Sequence, residues 1–321
     1  MDIISEQAVE TAVSRADAFT AVESVFAAMA TGQAWNFPVV REAIGHADAL
    51  YGFKSGFDRD NMALGVKSGG YWPGNAARGL TNHQSTVLLF DPDTGQPRAL
   101  VGGNFLTALR TAAASAVSIQ HLARPDAKTL GIVGAGHQAP FQLRAAVEQR
   151  PFERVVAWNR SPERLERLRE AAQSLGLPFE AVDRGTLCEQ ADVIITITSC
   201  FEPLLTEAQI RPGTHIACMG TDTAGKQEID PMILAGADVF TDAPNQAATI
   251  GECQHAVSEG HLHTDAIRPI GGVINDPGSF QRRADSITVF DGTGVGLQDL
   301  AVAQVAVERA NEACTAVQIV L

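Results

Sequence analysis

Three cations and one carboxylate stand where they could do chemistry: Arg41, Lys67, Arg110 and Asp222. Lys67 closes the apolar run Ala63-Leu64-Gly65-Val66 and precedes Ser68-Gly69-Gly70, which reads as a flexible stretch. Read alone, it is more often a surface lysine. Arg110 lies in Thr107-Ala108-Leu109-Arg110-Thr111-Ala112-Ala113-Ala114-Ser115, among small and apolar neighbours. A guanidinium in that company needs an anion, because an unpaired buried charge is costly. The anion is either an internal carboxylate or a ligand. Asp222 follows a strand-like run within Met219-Gly220-Thr221-Asp222, where it can serve as an acid or cap the next helix.

A second constellation is the stretch Thr129-Leu130-Gly131-Ile132-Val133-Gly134-Ala135-Gly136-His137-Gln138-Ala139. It reads as a buried strand, a glycine turn and a helix start. Gly134 permits the sharp turn, Gly136 lets backbone approach a pyrophosphate, and Ala139 lets the helix pack against the strand. This is the G-x-G-x-x-A dinucleotide fingerprint, with the diphosphate on a helix N-terminus. The run Arg154-Val155-Val156-Ala157-Trp158-Asn159 follows as a second strand, ending about 20 residues further on as the fingerprint requires. A bound nicotinamide dinucleotide is expected. A strand–turn–helix that binds nothing is the alternative.

The elements that must position these residues fall into two groups. Before residue 126 the pattern gives an amphipathic helix over 14–30 and short strands over 63–66, 86–90 and 98–101. A hairpin turn is read at Asp91-Pro92-Asp93-Thr94-Gly95 and an alanine-rich helix over 106–122. From Ala127 strands alternate with helices, at 130–133, 155–158, 193–198, 215–219, 239–241 and 287–290. Such alternation means a parallel sheet covered on both faces. Asp222 then lies at the carboxyl ends of the strands, on the same rim as Gly134 and Gly136. A last helix over 297–313 is expected to return to the N-terminal part, because the sheet is complete before it.

Composition narrows the partners. The chain has 321 residues, 45% of them hydrophobic, enough for two ordinary cores. A formal charge of −13 argues against nucleic acid and anionic membranes, though not against an anionic substrate in a locally basic cleft. The five cysteines form no C-x-x-C pair and nothing has metal-ligand spacing, so no metal is expected and the chain reads as reduced and cytoplasmic. No signal peptide and no membrane-spanning run is visible.

Taken together, the segments resemble the ornithine cyclodeaminase/mu-crystallin family. The carrying stretches are Val66-Lys67-Ser68, the run 106–115, the run 131–139, Met219-Gly220-Thr221-Asp222, Lys226-Gln227-Glu228-Ile229 and Phe290-Asp291-Gly292-Thr293-Gly294. They occur in the family's order over most of the chain. The resemblance implies an α/β fold: a Rossmann-type, doubly wound parallel sheet over 126–295 binding NAD(P). It also implies an α+β substrate-binding and dimerisation domain from 1–125 plus 296–321, in a homodimer. Residues matching Arg41, Lys67 and Arg110 hold the substrate carboxylate, and the one matching Asp222 acts beside the reacting carbon and nitrogen. Family members include ornithine cyclodeaminases with retained NAD, amino-acid dehydrogenases and imine reductases, and mu-crystallin itself.

One departure is informative. Where cyclodeaminases carry an acid for the distal amine of ornithine, this chain has Gly52, with Lys54 close by and Arg78 and His83 further on. Bases in place of an acid suit a second carboxylate, although Lys54 and Arg78 also read as solvated surface residues. The expected reaction is NAD(P)H-dependent reduction of a 2-imino acid to an L-amino acid, with iminosuccinate giving aspartate as the leading substrate. A cyclodeaminase-like ammonia lyase and a crystallin-like cofactor-binding protein are the alternatives. Lys67 or Asp222 supplies the proton. The expected cofactor contacts are Thr111, Gly134, Ala135, Gly136, His137, Gln138, Asn159, Arg160, Ser161, Thr198 and Met219. Asn159 suits ribose hydroxyls whereas Arg160 and Ser161 suit a 2′-phosphate, so NAD is expected with NADP as the alternative.

Overall fold

The computed structural model describes residues 1–320. The first segment runs β1 (Asp2–Ile4), α1 (Glu6–Ala12), α2 (Arg15–Ala30), β2 (Ala34–Asn36), β3 (Val40–Ala43), β4 (Leu50–Asp58), β5 (Ala63–Tyr71), β6 (His83–Phe90), β7 (Pro97–Gly102) and α3 (Asn104–Leu122). The middle begins β8 (Thr129–Val133), α4 (Ala139–Ala146), β9 (Arg154–Trp158), α5 (Glu166–Ser174), β10 (Phe179–Ala181), α6 (Arg184–Gln190), β11 (Val193–Thr196) and β12 (Phe201–Leu205). It continues β13 (His215–Cys218), β14 (Gln227–Ile229), α7 (Pro231–Gly236), β15 (Asp238–Thr241), α8 (Pro244–Ile250), α9 (Cys253–Ser258), β16 (Arg268–Pro269), α10 (Ile270–Asn275) and β17 (Thr288–Asp291). The chain closes with α11 (Gly296–Glu312) and β18 (Val317–Gln318). Two compact units result, Met1–Arg110 with Val295–Leu321, and Thr111–Gly294; the division falls inside α3.

The first unit is one sheet in the order β18-β1-β7-β6-β5-β4-β2, with β3 also on β4. Only β1–β7 pair in parallel; the other ladders are antiparallel. Alternation sorts its two faces. Val87, Leu89, Ala99 and Val101 are buried on the face that α11 covers. The opposite face carries Leu64, Val66, Leu88 and Leu100, all half-buried, with Trp35, Val40 and Phe53 exposed at 38%, 46% and 40%. The helices α3 and α11 do not offer free apolar faces. They are instead buried along most of their length, and the open apolar surface is the outer face of the sheet.

Two readings of this unit need correction. The stretch Ser68-Gly69-Gly70 is not a flexible segment after a short strand; it lies inside β5, and Lys67 sits mid-strand. The glycines are there because neighbouring backbone comes too close for a side chain: a Cβ on Gly70 would meet the Leu50 carbonyl oxygen at 1.9 Å. The nine residues of β4 escaped notice because their apolar side chains, Tyr51, Phe53 and Phe57, point to the outer face. The inner positions carry Gly52, Lys54 and Gly56.

The second unit is a parallel sheet ordered β10-β9-β8-β11-β13-β17-β15-β16. Its central strands are buried on both faces, so they read as continuous apolar runs. From β8 the chain proceeds outward through β9 and β10, then returns to β11 on the other side. That reversal is the topological switch point, where ligands lie beyond the carboxyl ends of the strands. A separate pair, β12 with β14, had no counterpart in the sequence reading. Among the described residues no helix is long and apolar enough to cross a membrane, and no cluster of side chains could hold a metal ion.

Candidate active site

In the first unit the candidate site is built on one carboxylate. Asp299, in the first turn of α11, is fully buried. Its Oδ1 accepts from Lys67 Nζ at 3.0 Å and from Arg110 Nε at 3.1 Å. A second guanidinium nitrogen of Arg110 donates to Gln298 Oε1 at 3.0 Å. The other oxygen, Asp299 Oδ2, is buried with no hydrogen-bond partner among the described residues. Arg110 thus has the internal carboxylate that its setting demanded, yet two cations share one anion. The surplus positive charge is what a substrate carboxylate would neutralise.

The electrostatics follow from this crowding. Burial pushes Lys67 down to about 7, against the pull of Asp299, with Arg110 and Lys54 pushing the same way as burial. Burial opposes the charged form of Asp299 too, but Arg110 and Lys67 hold it below the ordinary carboxylate range. Burial, then Lys67 and Arg110, push His83 down to about 3, so its imidazole is neutral at physiological pH.

The remaining expected residues of this unit separate. Arg41, on β3, is half-buried and pairs in register with Gly52 of β4. A Cβ on Gly52 would meet the Val40 carbonyl oxygen at 2.0 Å, so this backbone admits no acidic side chain there. Lys54 lies directly across from Lys67 in the β4–β5 ladder and belongs to the cluster. Arg78 does not join it on this face; it is exposed in the turn Asn75–Arg78.

In the second unit the cofactor candidates collect at the carboxyl ends of β8, β9, β11 and β13. Gly134 has φ +112°, and a Cβ there would meet the Ile197 carbonyl oxygen at 2.6 Å, so the turn requires glycine. Gly136 is different: a Cβ would meet nothing within 4 Å. The protein's own packing does not demand that glycine, whereas a pyrophosphate against the backbone would. Gln138 precedes α4, and its Oε1 is buried with no partner among the described residues. A cavity of about 450 Å³ opens beside the turn, lined by Ala135, Gly136 and His137 and also by Glu163, Arg164, Glu166 and Arg167, which the sequence reading had not singled out. Open backbone, an orphaned amide oxygen and a cavity together fit a dinucleotide. Asn159 donates to the Ser161 carbonyl at 2.7 Å, Arg160 is exposed, and Thr111 and Met219 are buried.

Two buried glutamates that sequence reasoning gave no role hold this rim in shape. Glu228 accepts from Thr196 Oγ1, Thr198 N, Thr198 Oγ1 and Gly220 N, at 2.6–2.9 Å. Glu252 accepts from the backbone N–H of Glu228 and Ile229, each at 2.8 Å, and from the Thr221 hydroxyl. Burial pushes both carboxyls up, and Glu228 pushes Glu252 further. Thr198, an expected cofactor contact, is committed through its backbone N–H and hydroxyl to Glu228. Asp222 caps no helix; it is ion-paired with Lys226 at 2.7 Å. The signal for Glu228 was present, since it lies in the Lys226-Gln227-Glu228-Ile229 stretch, but a buried glutamate cannot be told from an exposed one there.

Comparison with known proteins agrees with this geometry. The model of the ornithine cyclodeaminase/mu-crystallin family matches residues 1–313. The chain is 57% identical over 314 residues to an iminosuccinate reductase of Paracoccus denitrificans, covering 97% of each chain. The crystal structure of the iminosuccinate reductase of that organism in complex with NAD⁺ superposes with a TM-score of 0.95 at 55% identity, over 100% of this chain and 99% of that one. A Δ1-pyrroline-2-carboxylate reductase of Thermococcus litoralis, in complex with NADH and L-proline, gives 0.94 at 28% identity over 99% and 100%. An archaeal alanine dehydrogenase dimer with bound NAD gives 0.93 at 29% identity over 100% of both chains.

The shared carboxylate yields a first prediction. Asp299→Asn keeps the shape and removes the anion, leaving Lys67 and Arg110 as buried like charges. It should destabilise the protein by about 3–5 kcal/mol, read from urea unfolding. An unfolding midpoint equal to wild type would show that solvent already balances these cations.

Proposed function

The chain belongs to the ornithine cyclodeaminase/mu-crystallin family, and we propose that its activity there is the NAD-dependent reduction of iminosuccinate to L-aspartate. It is an oxidoreductase acting on the C=N bond of a 2-imino acid. The observation that carries the reading is the surplus of positive charge about Asp299, a site made for a carboxylate-bearing substrate. The cyclodeaminase alternative needs an acid for a distal amine, and the Gly52 backbone has no room for one.

Reduction adds a hydride to the imine carbon and a proton to its nitrogen. NADH bound at the Gly134–Gly136 turn supplies the hydride. Arg110 and Lys67 hold the α-carboxylate, with Arg41 as a further cation beside them, and so fix the imine carbon for attack. Their charge also raises the electrophilicity of that carbon. Lys67 is our choice of proton donor. An ammonium held at about 7 gives up its proton at neutral pH far more readily than an ordinary lysine. Asp222, kept in place by Lys226, is assigned to accept a hydrogen bond from the nitrogen as it becomes an ammonium.

For the cofactor, Asn159 leaves its Oδ1 to accept from a ribose hydroxyl while its Nδ2 serves Ser161. Gly134, Ala135, Gly136, His137 and Gln138 are assigned to the diphosphate turn, with Arg160, Ser161, Thr198, Met219 and Thr111 about it. For the assembly, the outer face of the first unit's sheet, with Trp35, Val40 and Phe53, is assigned to a homodimer interface. An archaeal alanine dehydrogenase of the same fold is a dimer.

These assignments make four predictions. Lys67→Ala and Arg110→Ala should each lose about 2–4 kcal/mol of transition-state stabilisation while still binding NADH. Because the proton donor must be protonated, kcat/KM for imine reduction should fall as pH rises through about 7, and aspartate oxidation should rise. Lys67→Arg, protonated throughout, should erase that limb; a pH profile unchanged in this variant would remove Lys67 as donor. Asn159→Asp should shift the NADH to NADPH preference further toward NADH, since a carboxylate repels a 2′-phosphate; an unmoved ratio places recognition elsewhere. Sedimentation should give twice the 34.0 kDa chain mass at micromolar concentration, and Phe53→Lys with Val40→Asp should give the monomer. A monomeric wild type would overturn the interface.

A further inference from the structure

Resting on that reading, we propose that Glu252 and Gln254 are positioning residues for the reaction: together they clamp the loop that carries Asp222 and act through it. The loop runs from Met219 to Lys226 between β13 and β14, outside any helix or strand. Among the described residues it closes one backbone hydrogen bond within itself, from Lys226 N to the Thr223 carbonyl at 3.2 Å. Much of its remaining anchoring comes from two side chains that arrive from one turn at the start of α9. Glu252 directly precedes that helix and Gln254 is its second residue. Glu252 Oε1 accepts from the N–H groups of Glu228 and Ile229, each at 2.8 Å, and its Oε2 accepts from the Thr221 hydroxyl. Gln254 Oε1 accepts from Gly225 N at 2.7 Å, and its Nε2 donates to the carbonyls of Thr223 at 3.3 Å and Lys226 at 3.2 Å. Asp222 stands between the points that the two side chains hold.

A connection that only had to join β13 to β14 would not need this clamp. Thr223 and Lys226 are half-buried and Gly225 is exposed, so water could satisfy their backbone groups. The fold instead commits two buried side chains to the loop. The turn that supplies them is itself fixed. Asp291, at the end of β17, accepts from Cys253 N at 3.0 Å through Oδ2, and a Cβ on Gly251 would meet that same oxygen at 2.5 Å. Gln254 Nε2 also donates to the Gly251 carbonyl at 2.9 Å. The place of Asp222 is thereby set from an interior strand of the sheet as well as from its own loop. What this gives is precision. An aspartate that meets a nitrogen changing from imine to ammonium must stay within hydrogen-bond reach, and a misplacement of about 1 Å can cost about 100-fold in rate. The clamp works by hydrogen bonds rather than by charge. Burial, then Glu228, push the Glu252 carboxyl up to about 8, so it is largely protonated at neutral pH. An amide in its place would keep both backbone bonds through its oxygen and offer its NH2 to the Thr221 hydroxyl.

The test is kinetic, with NADH and iminosuccinate formed from oxaloacetate and ammonia. Gln254→Met removes the bonds to Thr223, Gly225 and Lys226; Glu252→Met removes those to Thr221, Glu228 and Ile229. Each should lower kcat on the order of 10- to 100-fold, with NADH affinity and the KM for the imine within about twofold of wild type. Glu252→Gln should recover most of the rate that Glu252→Met loses. Combined with Asp222→Asn, either methionine variant should cost less than about twofold more, because the residue it positions no longer acts. Gln254→Met, the less buried of the two, carries the test alone if Glu252→Met does not fold. An unchanged kcat in Gln254→Met overturns the proposal. A full additional loss in the Asp222→Asn background, or a loss that appears in NADH affinity, overturns it too and makes the clamp a structural feature of the unit. Asp222→Asn at the wild-type rate overturns instead the role given to Asp222. A wild type inert toward the imine overturns the functional reading itself.

Discussion

A single carboxylate oxygen organises the first unit. Asp299 Oδ1 receives both Lys67 from the middle of β5 and Arg110 from α3, and it arrives from α11, near the C-terminus of the chain. Three elements distant in sequence are tied at one atom. An ion pair this deeply buried is a poor source of net stability, because desolvating three charges offsets most of their attraction. What it gives is position and readiness. The cations cannot relax toward solvent, and with one anion between two of them they stay short of full neutralisation. The fold itself leaves that pairing incomplete, since the other oxygen of Asp299 is buried with no hydrogen-bond partner among the described residues.

The second unit solves the opposite electrostatic problem. Its rim is shaped by acids that gather hydroxyl and backbone N–H donors. Glu228 and Glu252 are met by hydroxyls and backbone N–H groups, and Asp242 accepts from the N–H groups of Thr293 and Gly294 in the same manner. A carboxylate can gather several donors at once, which lets it pin irregular backbone that has no ladder partner. The loops after β11 and β13 are such backbone, and they flank the switch point. The acids therefore act through the loops they hold. Their burial, which disfavours charge, is tolerated because so many donors converge on each carboxylate.

Much of this was legible in the residues, and the gaps have physical causes. The parallel sheet announced itself because strands buried on both faces are uniformly apolar, as in Leu130–Val133 and Val193–Thr196. The glycine turn was readable because Gly134 has a backbone reason that no other residue meets. Arg110 was readable as a buried cation from its small neighbours. Its partner was not: Asp299 sits in Gln298-Asp299-Leu300, an ordinary first turn of a helix, and only the tertiary fold carries it to Lys67. The strand β4 was missed because its two faces invert the usual rule, with aromatic side chains outward and glycines and lysine inward. Similarly, an apolar sheet face left open looks in sequence like any half-buried strand.

That inversion in β4 also governs what packs on either side of it. A strand whose inner face carries Gly52, Lys54 and Gly56 cannot contribute to a hydrophobic core. Its glycines lie under close neighbours, a Cβ on Gly56 meeting the Leu297 side chain at 3.0 Å, and it places a charge where packing would favour an apolar side chain. Neither feature helps the unit fold. The helix above conforms to them instead, since Gly296 lies against Lys54 where any larger residue would collide. Its partner face shows the complementary choice, with Tyr51, Phe53 and Phe57 turned outward to a surface that needs covering. One strand thus serves two boundaries, polar toward α11 and apolar toward the outer face.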